Sequence, residues 1–174
     1  MENVLINRVA ESGIITIDLE KYYPTHEFAG FDLKDFLFQG LILREKDFRE
    51  ALKNLDWEIF RDKIVLIYCS ADAIIPLWAY MLVRSYLKDY PADVYTGTKE
   101  EYLKKYYTDL IRTLNPEEYK DGRVVIKGCS HKPVPAAAYA EMTALLLPHA
   151  QSIMFGEPCS TVPVFKRPRM LEKG

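Results

Sequence analysis

The stretch Lys63-Ile64-Val65-Leu66-Ile67-Tyr68-Cys69-Ser70-Ala71-Asp72-Ala73-Ile74-Ile75-Pro76 decides the fold class. Ile64–Tyr68 is a continuous apolar run, the pattern of a strand covered on both faces. Pro76 suits the first turn of a helix, where a missing N–H costs no hydrogen bond. A helix from about Ile75 to Lys88 is therefore predicted. It is apolar almost all round until Arg84, so deep burial is predicted for it.

The same alternation continues toward the C-terminus. Asp93–Tyr95 reads as a second strand, and Thr98 with Glu101 forms a capping box. The helix this box opens is predicted to bury Tyr102, Leu103, Tyr106, Leu110 and Leu114. Arg123–Lys127 is a third strand, Pro135 starts a helix that Pro148 ends, and Gln151–Phe155 is a fourth strand. Toward the N-terminus, Ile15, Ile17 and Leu19 alternate with polar residues, as in a half-buried strand. Asp32–Leu43 has near-helical spacing interrupted by Gly40. Glu45–Leu55 carries Phe48, Ala51, Leu52 and Leu55 as a helical stripe.

Strands alternating with helices predict an α/β fold. The expected form is three-layer and Rossmann-like, a mostly parallel sheet with helices on both faces, plus an N-terminal strand and helices. At 174 residues the chain is read as a single domain. Residues 1–62 form an extension packed on the domain, 63–160 the parallel core and 161–174 a tail. Cys69 leads to Pro76-x-x-Ala79-Tyr80 and Cys129 to Pro135-x-x-Ala138-Tyr139. This short echo reads more readily as two solutions of one strand–loop–helix problem than as a duplication.

Composition excludes some classes of function. Apolar residues make up 49% and charged residues 28%, and the formal charge is −2. That charge provides no field to attract nucleic acid or an anionic membrane, so neither is expected as a partner. The apolar stretches are far shorter than the ~20 residues a bilayer core requires. Met1-Glu2-Asn3 lacks the start of an export signal, and three cysteines cannot all pair within the chain. A cytoplasmic location is expected.

The cysteines suggest the chemistry. Cys69-Ser70, Cys129-Ser130 and Cys159-Ser160 each follow a predicted strand, and the last two share C-S-x-x-P-V. If those strands lie parallel in one sheet, all three thiols reach the carboxyl edge where such sheets bind ligands. Thiolates favour soft metals, and three protein ligands on zinc leave one open position. The expectation is a metal site of Cys69, Cys129 and Cys159 holding zinc, or alternatively an iron–sulfur cluster. Ser70, Ser130, Ser160 and Asp72 are candidates to line it, Asp72 more readily as a helix cap, with His131 and Glu157 as possible fourth ligands. On this reading the chain is a metal-binding protein, and a metal-dependent enzyme acting on an unknown small molecule is one hypothesis for it. The alternatives are an accessory protein for iron–sulfur cluster assembly or carriage, a thiol-based redox enzyme, structural zinc, and cysteines as core filler. The N-terminal strand also allows a homodimer.

Four strings resemble an uncharacterised bacterial domain-of-unknown-function family, the 2480 family: Phe38–Arg49, Cys69–Ile74, Lys127–Ser130 and Gly156–Pro163. The resemblance covers nearly the whole chain. It implies an association with iron–sulfur cluster assembly proteins as partners and supplies no activity. Residues Phe38–Arg49 have no role on this reading beyond a solvated helix start or charges lining the crevice.

Overall fold

The computed structural model describes residues 7–8, 13–128, 131–157 and 160–168. In chain order the first strands are β1 (Asn7–Arg8), β2 (Ile14–Ile17), β3 (Phe28–Asp32), β4 (Leu37–Phe38) and β5 (Ile42–Leu43). Helix α1 (Glu45–Asn54) leads to β6 (Ile64–Tyr68), α2 (Leu77–Tyr86) and β7 (Asp93–Thr96). Then come α3 (Lys99–Arg112), β8 (Arg123–Ile126), α4 (Ala136–Leu146), β9 (Ser152–Glu157) and β10 (Ser160–Lys166). The chain is mixed α/β with mainly parallel pairing. It divides into two compact units, Pro24–Tyr102 and Met1–Tyr23 with Leu103–Gly174.

The Pro24–Tyr102 unit is built on a parallel sheet of order β3-β6-β7. As the apolar run predicts, Ile64, Val65, Leu66 and Ile67 of β6 are all buried. Val65 and Ile67 share one face of the strand. They pack in one cluster with Phe48 and Leu52 of α1 and with Ala79, Val83 and Leu87 of α2 and its C-cap. Both helices therefore lie against the same face, and the strand order advances without reversing. The three-layer, Rossmann-like arrangement expected from the sequence is not shown by this unit.

Two elements here escape the sequence pattern. β3 is a short strand with Gly30 at its centre, and glycine weakens any strand signal. A Cβ at Gly30 would lie 2.8 Å from the Tyr68 hydroxyl, so the Tyr68 ring of the neighbouring strand packs over the glycine. Residues 33–43, expected to be near-helical, form a 3-10 turn (Leu33–Phe36) and the β4–β5 hairpin. Gln39 and Gly40 have φ of 52° and 72°, the signature of a tight hairpin turn with both central residues left-handed.

In the other unit β2, β8 and β9 are parallel, and β1 and β10 are antiparallel edges, in the order β1-β2-β8-β9-β10. β10 occupies positions where the sequence suggests a tail. Val124, Val125, Ile126 and Ile153 of the sheet are buried, as are Ala138, Met142 and Leu146 of α4. Along α3 the capping box forms, with Thr98 N donating to Glu101 at 2.7 Å and Glu101 N to the Thr98 hydroxyl at 3.3 Å. Tyr102, Leu103 and Leu114 are buried as predicted, while Tyr107 and Ile111 take the places expected for the neighbouring Tyr106 and Leu110. Tyr107 brings its hydroxyl to Leu19 O at 2.9 Å, so the aromatic ring is buried with its polar end satisfied.

The echo around Pro76 and Pro135 extends through both units. β3 pairs with β6 from Phe28↔Ile64 and β2 with β8 from Ile14↔Arg123; β6 pairs with β7 from Ile64↔Asp93 and β8 with β9 from Arg123↔Ser152. One constant displacement along the chain carries β6, α2 and β7 onto β8, α4 and β9. It also carries Asp62 (φ 57°) onto Asp121 (φ 54°) and Gly97 (φ 137°) onto Gly156 (φ 126°). Asp62 N donates to Tyr90 O at 3.0 Å and Asp121 N to His149 O at 2.9 Å, again equivalent positions. Asp32 and Asp18 cap the 3-10 turns that follow β3 and β2, the equivalent strands of the two units. Matched registers, left-handed residues and caps make this one plan used twice, with one use inserted in the chain after β2 of the other. The five-letter echo understates it, because the repeated features are backbone features that different side chains satisfy.

Candidate functional site

The carboxyl ends of β3 and β6 are tied by Asp32 and Ser70. Ser70 donates through its hydroxyl to Asp32 Oδ2 at 2.5 Å and through its amide to Oδ1 at 3.0 Å. Asp32 also accepts from Lys34 N at 3.0 Å, with the Lys34 ammonium at 3.7 Å. Burial alone would raise the Asp32 carboxyl, but the Ser70 and Lys34 hydrogen bonds and the Lys34 charge outweigh it. Its pKa therefore lies below the ordinary value. Cys69 is half-buried, with its thiol 3.5 Å from Ala71 O. Asp72 is exposed and does not cap α2, whose N-cap is Pro76 with no side-chain hydrogen bond.

Because the Asp32 carboxyl is depressed on folding, it stabilises the protein above its unfolded pKa of about 3.9, and that stability is lost as pH falls through the folded value. Ser70→Ala is expected to cost about 1 kcal/mol at pH 7 and almost nothing once Asp32 is protonated. Urea unfolding of both proteins between pH 7 and 2.5 measures this. A penalty independent of pH would show that the hydroxyl stabilises by some other route.

At the equivalent strand ends of the other unit, Lys127 Nζ lies 3.5 Å from Asp18 Oδ2 and 3.8 Å from Glu157 Oε1. The Asp18 and Glu157 charges raise the Lys127 pKa. Asp18 accepts from Glu20 N at 3.2 Å, and Glu20 Oε1 accepts from Lys132 N at 2.8 Å. Glu157, a possible fourth metal ligand by sequence, is thus engaged by a lysine. His131 and Ser160 are exposed, while Cys129, Ser130 and Cys159 lie outside the described residues.

These placements correct the metal reading. It required the strands before the three cysteines to end at one sheet edge. β6, which leads to Cys69, belongs to the three-stranded sheet, whereas β8 and β9 belong to the five-stranded one. Among the described residues no three His, Cys, Asp or Glu side chains are grouped so as to hold a metal ion. The three-cysteine centre, with the zinc, iron–sulfur and paired-thiol functions that depended on it, is withdrawn. The error lies in the partner of β6. β7 lies beside β6 as expected, but the other side, expected for the Arg123–Lys127 strand, is held by the inconspicuous β3.

With the architecture defined, the chain can be compared with known families. A family model described as protein of unknown function (DUF2480) matches residues 3–167. The chain belongs to this family. No curated protein and no solved structure matches it. The DUF2480 description carries no activity to transfer, so function must be argued from the surface of this chain.

That surface has a feature the sequence pattern did not reveal. α2, predicted to be deeply buried, buries only Ala79 and Val83 along its length. Leu77 and Met81, one turn apart, are 80% and 71% exposed, and Ile74 just ahead of the helix is 93% exposed. The DUF2480 fold needs one face of α2 for its core and leaves the opposite apolar face to solvent. On the second unit, α4 and the sheet beside it form a groove of about 410 Å³ lined by Ile126, Tyr139, Ala140, Thr143, Leu147 and Phe155, among others. Among the described residues no helix is long and apolar enough to cross a membrane.

Proposed function

We propose that this chain is a partner-binding protein that docks through the exposed face of α2. The supporting observation is the exposure of Leu77 and Met81, held in solvent by a helix whose other face is fixed in the core, and of Ile74 just ahead of it. Scattered exposed apolar residues are ordinary, but Leu77 and Met81 one turn apart on α2, with Ile74 just ahead of the helix, are three large exposed apolar side chains within eight positions, as at an interaction surface. The polar groups at the strand ends favour the same reading, since Asp32 is engaged by Ser70, and Asp18 and Glu157 by Lys127. Ile74, Leu77 and Met81 bear no charge, and the net charge of −2 fits a protein partner better than a nucleic acid. The chemistry it recognises is an apolar face with charge only at its rim.

The test is a photo-crosslinking residue placed at Ile74 of the full chain in the cell that makes it. One discrete adduct is expected, and it should vanish when Met81→Lys is added. No adduct, or one that Met81→Lys leaves intact, overturns the reading. Met81→Lys alone should leave unfolding within about 0.5 kcal/mol of the parent, as for a surface position away from structural features.

A further inference from the structure

We draw no further inference here: the strongest candidate, the apolar groove along α4 lined by Ile126, Tyr139, Thr143, Leu147, Phe155 and Val164, is an unpartnered face and nothing in the structure shows what covers it.

Discussion

Phe48→Ala is expected to lower the stability of the Pro24–Tyr102 unit by about 3–5 kcal/mol, the range for deleting a buried phenylalanine side chain. Phe48 is 1% exposed on the inner face of α1. Its ring meets Phe36 edge-on at 5.2 Å and Trp78 of α2 at 6.1 Å, so it joins the segment after β3 to both helices. Phe36 also stacks on Phe31, which stacks on Trp57, so a void at position 48 removes support from a continuous aromatic layer. Both tryptophans of the chain, Trp57 and Trp78, belong to this unit. Their emission during urea unfolding therefore reports on it directly. The midpoint should fall by more than about 1 M, given a slope of about 1–3 kcal/mol per molar for a small protein. Phe48→Leu, closer in volume, should cost well under half as much. A loss below about 1 kcal/mol for the alanine variant would mean that α1 is not anchored by this residue.

In the other unit the most damaging small change is expected at Gly156. Gly156→Ala should cost about 3 kcal/mol or more, because strain and collision act together. The residue sits in β9 at φ 126°, a conformation that side chains rarely adopt. An added Cβ would lie 2.5 Å from Ser160 O and 3.4 Å from Thr161 Cα, both main-chain atoms of β10. Thr161 is the cross-strand partner of Gly156, so relieving the contact means separating β9 from β10. Gly40→Ala provides the comparison, since φ is 72° there but no atom lies within 4 Å of the new methyl. Only the left-handed penalty of about 1–2 kcal/mol applies at that site. Thermal unfolding separates the two, and hydrogen exchange should show β10 amides losing protection in Gly156→Ala alone. Equal effects from the two substitutions would refute the close approach of the strands at Gly156.

How much of this was legible in the residues depends on whether the information is local. Ile64–Tyr68, the Thr98–Glu101 box and the α1 stripe were read correctly because apolar period and capping chemistry act within a few positions. β3 was not, since Gly30 answers to Tyr68, a residue distant in sequence. Tyr106 and Tyr107 are both aromatic, and only the place of Leu19 O selects the second for burial. The repeat of the two units was faint in the letters, because equal backbone registers accommodate unlike side chains. The Cys-Ser pairs were a true pattern in the sequence, but their common position after strands says nothing about which sheet those strands join.

The amino-acid order on its own determined the local elements, the α/β class and the family. Which strands pair, and which apolar faces remain uncovered, was decided by tertiary structure. The physical reason is that strand pairing is a competition among distant segments for the same backbone hydrogen bonds, and burial is a property of the winning arrangement. Hence α2, apolar on nearly every side, has one face in the core and the other in water, and the second face is where its function is proposed.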